Sequence, residues 1–89
     1  MSEASQAPIW IDVRTPEEYA GGFYLSAINI PHEIIANKIA EVTADKDADI
    51  RVYCRTGRRS GVAMDVLKKM GYTKVINEGG YEDLLKRKP

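Results

Sequence analysis

The sequence predicts an α/β fold, a small parallel sheet flanked by helices. Three observations carry that prediction. Short runs rich in β-branched residues alternate along the chain with segments of helical spacing. A length of 89 residues leaves room for one compact domain with one modest core. Hydrophobic residues make up 44% of the chain and charged residues 29%, an ordinary globular balance that argues against disorder. Strands alternating with helices favour a parallel sheet covered by helices, with ligands bound beyond the carboxyl ends of the strands.

The first strand is Ile9-Trp10-Ile11-Asp12-Val13, where β-branched residues recur at period two. Thr15-Pro16-Glu17-Glu18 follows, with an N-cap threonine, proline at the first helical position and glutamate three residues on. This capping-box signature predicts a short helix from Pro16 to about Ala20, stopped by Gly21-Gly22. Ala27-Ile28-Asn29-Ile30 is expected as a second strand closed by Pro31. Ile34, Ile35, Ile39 and Val42 then recur at helical spacing and should pack on a sheet, and a polar turn over residues 43–49 leads out of that helix. Ile50-Arg51-Val52-Tyr53 is a third strand. A strong helix is expected over residues 61–70, with the apolar stripe Val62, Ala63, Val66, Leu67 and Met70 and with Gly71 as a left-handed cap. Lys74-Val75-Ile76-Asn77 gives a fourth strand, and a closing helix should run from Tyr81 to about Lys86. Residues 1–7 read as a polar leader and 8–89 as the domain.

Charge and cysteine content narrow the function classes. Thirteen basic side chains balance thirteen acidic ones, so no field of one sign attracts nucleic acid or an anionic membrane, and neither is expected as a partner. No apolar run approaches the roughly 18 residues of a spanning helix. The single cysteine, even with His32 as the only histidine, supplies too few ligands for a zinc or iron–sulfur site, so neither a metal nor another cofactor is expected. His32, after Pro31, reads as a surface residue.

The chemistry is expected at Cys54-Arg55-Thr56-Gly57-Arg58-Arg59-Ser60, between the third strand and the strongest helix. A thiol there lies at the mouth of the sheet and faces a helix amino end, whose unpaired N–H groups favour an anion. A free thiol ionises near pH 8.5, and a helix amino end with neighbouring arginines lowers that by about a unit or more. Gly57 lets the backbone bend so that several N–H groups point inward, and Arg58 and Arg59 offer planar donors to an oxyanion. A lone cysteine is ordinarily a small buried hydrophobe. A strand-to-helix loop with three arginines and a glycine is a poor setting for an inert core thiol and points to a nucleophile.

These motifs together resemble the rhodanese-like sulfurtransferases, in particular the single-domain phage-shock type. The matching pieces are Ile11-Asp12-Val13-Arg14 with Pro16-Glu17-Glu18-Tyr19, Ala27 to Pro31, Val52 to Ser60, Met70-Gly71-Tyr72 and Gly79-Gly80. The resemblance implies a thiosulfate sulfurtransferase in which Cys54 takes sulfane sulfur from thiosulfate or a persulfide donor and passes it to cyanide or a thiol. It implies that Arg55, Thr56, Gly57, Arg58, Arg59 and Ser60 bind the donor, with Arg58, Arg59 and loop amides orienting it. Asp12, Arg14 and Glu18 are expected to hold the sheet edge and the loop as structural ion pairs. Two departures stand out: Phe23 and Ser26 alter the approach to the second strand, and Leu84 replaces a common tryptophan. The short start resembles exported forms, so a periplasmic protein with its signal removed is expected, with a cytoplasmic one as the alternative.

Two other functions compete. A cysteine phosphatase or arsenate reductase also sets a thiolate in an anion-binding loop, but needs five residues between cysteine and arginine where this chain has four between Cys54 and Arg59. A non-catalytic rhodanese-like binding module would ordinarily have lost the nucleophile, which this chain retains.

Overall fold

The computed structural model describes residues 7–87; most of the expected leader therefore lies outside the described residues. The elements are β1 (Ile9–Asp12), α1 (Pro16–Ala20), β2 (Ile28–Asn29), a 3-10 turn (His32–Ile34), α2 (Ile35–Val42), β3 (Ile50–Cys54), α3 (Arg58–Lys69), β4 (Val75–Gly80) and α4 (Tyr81–Leu85). Thr15 caps α1 as its sequence predicts: its side chain accepts from the Glu18 N–H, and the Glu18 carboxylate accepts from the Thr15 N–H. Gly71 stands in the left-handed region beyond α3.

All four strands are parallel, in the order β2-β1-β3-β4. The chain runs outward from β1 to β2 and then returns to the other side of β1 to begin β3. The order therefore reverses between β1 and β3, and the crevice beyond their carboxyl ends is the natural place for a site in such a sheet.

Successive side chains of a strand face opposite sides, and β3 shows how this divides the core. Ile50, Val52 and Cys54 join the larger apolar cluster, with Ile35 and Ile39 of α2 and Ala63 and Leu67 of α3. Tyr53 faces the other way, into a smaller cluster with Ala27 and Leu84, flanked by Trp10, Tyr24 and Tyr81. Leu84, the departure from the expected tryptophan, is fully buried there.

Several boundaries differ from the sequence reading, each for a local reason. β2 keeps only two residues, although Ile30 still donates its N–H to Asp12. Ile34 lies in the 3-10 turn and is 40% exposed, so the buried face of the next helix starts at Ile35. α3 begins at Arg58, three residues early, because Gly57 and not Gly61 makes the left-handed turn before it. Val62 is 49% exposed, and Ser60 takes a buried place on that helix. β4 continues past Asn77 to Gly80 through a bulge: Val52 opposes Asn77, whereas Tyr53 opposes Gly79. His32 is half-buried, with its side chain partly at the surface.

Candidate active site

Because Cys54 shares the face of Ile50 and Val52, its side chain is turned beneath the amino end of α3. The Gly57 N–H donates to Cys54 Sγ at 3.0 Å, and Ser60 Oγ lies 3.6 Å from the same sulfur. Burial pushes the Cys54 thiol up, and hydrogen bonds from the Ser60 hydroxyl and from the backbone of Ser60, Thr56 and Gly57 more than offset it. The thiol is thus held below its ordinary ionisation range chiefly by neutral donors. Cys54 closes β3 at the mouth of the sheet and has no exposed surface, so the sulfur lies under the loop. A pocket of about 360 Å³ lined by Arg55, Thr56, Glu82 and Asp83 lies on the solvent side of this loop.

The three arginines of the motif divide. Arg55 and Arg58 are exposed and make no ion pair among the described residues. Arg59 does not face solvent freely, as a donor awaiting an anion would. Its Nη1 and Nη2 donate to the two carboxylate oxygens of Glu18 at 3.0 and 3.2 Å. The Arg59 bonds, followed by the Thr15 backbone bond, hold the Glu18 carboxyl at about 2 against burial.

Asp12 and Arg14 brace a central strand, not the edge that the sequence suggested. Asp12 accepts from the Arg14 N–H at 2.9 Å and from its guanidinium at 2.6 Å, with both side chains buried. Arg14 then reaches the Gly22 carbonyl at 2.6 Å and lies 4.2 Å over the Tyr81 ring, tying the end of β1 to α1 and α4. Asp12 and Arg14 therefore support the surroundings of the loop, while Glu18 touches it directly through Arg59.

Asn77 is the functional residue that sequence reasoning missed. Its Oδ1 accepts from Ser60 Oγ at 2.6 Å and from the Gly79 N–H at 3.0 Å, and its Nδ2 donates to the Gly57 carbonyl at 2.9 Å. One side chain thus fixes the residue that caps α3 and the hydroxyl beside the sulfur. The β4 bulge between Asn77 and Gly79 lies next to it, and bulges of this kind commonly re-aim a side chain beside a site. The paired glycines gave the only sequence signal in this region, and they carry a steric role. A Cβ on Gly80 would stand 2.7 Å from the Arg55 carbonyl oxygen, so β4 approaches the loop as only glycine permits.

The arrangement can hold a sulfur anion at a helix amino end, within a ring of N–H and hydroxyl donors. Among the described residues no cluster of metal-ligating side chains is present.

The rhodanese-like domain model matches residues 1–87. The chain is 47% identical over 75 residues to the thiosulfate sulfurtransferase PspE of Escherichia coli, covering 84% of this chain and 72% of that one. A sulfurtransferase of Allochromatium vinosum is 39% identical over 70 residues, covering 79% of this chain and 64% of that one. Among solved structures, a rhodanese with anions from E. coli superimposes with a TM-score of 0.83 at 47% identity, covering 86% of this chain and 91% of that one. The human single-domain sulfurtransferase TSTD1 aligns with a TM-score of 0.77 over 97% of this chain and 88% of that one, at 23% identity, a likeness of fold alone. With the family's match spanning nearly its whole length, the chain belongs to the rhodanese-like domain family, among its sulfurtransferases.

Proposed function

We propose that Cys54 carries sulfane sulfur as a persulfide, loaded from thiosulfate or a persulfide donor and discharged to cyanide or a thiol. The observation that carries this reading is the 3.0 Å contact from the Gly57 N–H to Cys54 Sγ at the start of α3. In the loading step the thiolate attacks the outer sulfur of thiosulfate. A new S–S bond forms as the old one breaks, and sulfite leaves with the electron pair. In the discharge step cyanide or a thiolate attacks the outer sulfur of the persulfide, becoming thiocyanate or a new persulfide, and the Cys54 thiolate is regenerated. The terminal sulfur of the persulfide is itself an anion, so the donors that favour the thiolate also favour the intermediate. Because the thiol has no exposed surface, the loop over it must move for a donor to reach it.

The phosphatase alternative fits less well. Four residues separate Cys54 from Arg59, and that arginine is already engaged by Glu18. Its fork is not available to clamp a phosphoryl group in the in-line geometry that displacement requires.

Incubation with thiosulfate should add one sulfur to the intact protein, lost again on addition of cyanide, with mass spectrometry placing it on Cys54. Cys54→Ser should stay folded and lose the transfer by a factor of about a thousand or more, because a hydroxyl ionises far less readily and cannot carry a transferable sulfur. Appreciable transfer by a folded Cys54→Ser protein would rule out the mechanism.

A further inference from the structure

Glu18 lies on α1 and Arg59 on α3, and no catalytic step described above uses the carboxylate. Yet it takes both terminal nitrogens of Arg59, the arginine that interacts with the Cys54 sulfur. Two-pronged pairing of this kind is the strongest that an arginine makes with a carboxylate. Each side chain is 28% exposed, so the pair is only partly screened by water. Glu18 is also fixed from behind, because Oε1 accepts from the Thr15 N–H at 3.0 Å and from Thr15 Oγ1 at 3.1 Å. The capping box therefore locks a negative charge in front of Arg59 and prevents it from swinging away.

The remaining charges around Cys54 do not change this balance. On α3 the sulfur meets Arg59 and the uncharged Ser60. Beyond β1 stands the Asp12–Arg14 pair, which compensates itself. On β4 Asn77 is uncharged, and the carboxylate of Glu78 is taken by Arg51 and Arg87. Arg55 and Arg58 make no ion pair among the described residues, and Glu82 and Asp83 of α4 line the pocket together with Arg55, but all four are exposed, where solvent and salt weaken them. The one arginine placed to act strongly on an anion at Cys54 is thus neutralised in advance.

We infer that Glu18 is a positioning residue that sets donor choice: by occupying Arg59 it lowers the site's affinity for dianionic thiosulfate and favours alkyl persulfides, which bring less charge. The inference rests on the sulfurtransferase reading and names the donor class for the same site.

Glu18→Gln tests it, because glutamine keeps an oxygen for Thr15 while losing the charge and the second acceptor for Arg59. Two measurements are needed on the variant and the unmodified protein: the pH midpoint of Cys54 alkylation, and KM for thiosulfate beside KM for an alkyl persulfide that carries no charge beyond that of its terminal sulfur. With the charge facing Arg59 removed and one of its two bonds lost, the midpoint should fall, and KM for thiosulfate should fall about threefold while that for the alkyl persulfide stays within about 1.5-fold. A role in stability alone would lower the melting temperature and leave the midpoint and the KM ratio where they were; that result overturns the inference. So does a rise in KM for thiosulfate, which would mean that Glu18 holds Arg59 in place for the dianion. If Glu18→Gln does not fold, Glu18→Asp draws the carboxylate back from Arg59 and should shift the ratio the same way by about half as much; an unchanged ratio there overturns the inference. If neither donor loads the unmodified protein, the sulfurtransferase reading fails, and the alkylation midpoint still decides the role of Glu18.

Discussion

At the scale of single residues, the thiol is governed by a contest between burial and hydrogen bonding. Burial is the larger single influence and works against the thiolate, while Ser60 heads the group of donors that together overcome it. Ser60 has one hydroxyl hydrogen and two acceptors within reach, Asn77 Oδ1 at 2.6 Å and Cys54 Sγ at 3.6 Å. The 2.6 Å contact favours Asn77 as the acceptor of that hydrogen, which can turn to the sulfur when it ionises. Ser60→Ala removes that option. The alkylation midpoint of Cys54 should rise, and persulfide formation near neutral pH should slow about tenfold, the worth of one hydrogen bond to a charged group. A midpoint unmoved in Ser60→Ala would assign the activation to the backbone N–H groups alone. At this scale the sequence was informative where the signal is local. Cys54, Gly57 and the Thr15 cap were all legible from neighbours within four positions. Asn77 was not, because its contacts come from residues 17 and 20 positions away and its placement beside a bulge leaves no pattern in composition.

At the scale of elements, the loop that follows Cys54 is defined by what presses on it. The end of β4 lies against it so closely that the Gly80 Cα hydrogen takes the place of a side chain, and the obstacle is the Arg55 backbone, which cannot rotate away. Gly80 has φ −97°, an ordinary value, so an alanine there meets only crowding and no backbone strain. Gly80→Ala should therefore cost about 1–3 kcal/mol in stability, as overpacking does, and should depress transfer further by displacing the loop that covers the sulfur. Wild-type kinetics with a wild-type melting temperature would show that the loop yields freely and that this contact has no role. The misplaced start of α3 belongs to the same scale. Gly61 is an interior helix residue with Asn77 Nδ2 3.4 Å from where its Cβ would be, so it serves close packing. In the sequence it looked like a helix boundary, since a glycine between a polar run and an apolar stripe signals both. As a result Arg58, Arg59 and Ser60, read as loop, form the first turn of the helix, where Ser60 sits beside the thiol.

At the scale of the whole molecule, strand and helix alternation was enough to foresee a parallel sheet, but the strand order β2-β1-β3-β4 emerges only from long-range pairing. That order puts the ends of β1 and β3 side by side and so brings Glu18, soon after β1, to Arg59, soon after β3, across 41 positions of sequence. The resemblance to the family had classed Glu18 as a structural ion pair, and nothing local in the sequence linked it to the arginine. The pairing has a global consequence in acid. The Glu18 carboxyl is lowered from 4.5 to about 2, chiefly by the Arg59 hydrogen bond. A group whose folded value is depressed adds stability that is fully present above its unfolded value and disappears as pH falls through the folded one. The contribution of Glu18 should therefore be complete above about 4.5 and vanish near about 2. Glu18→Gln cannot titrate, so it lacks this contribution at every pH. Melting temperatures of the two proteins, followed from neutral pH downward, should differ by a constant amount until about 4.5 and then converge. Other carboxylates titrate in both proteins and cancel in the comparison, leaving the pair that joins α1 to α3. A difference that stayed constant to the lowest pH reached would mean that the bond to Arg59 does not hold Glu18 ionised, and would remove the electrostatic basis for its effect on donor choice as well.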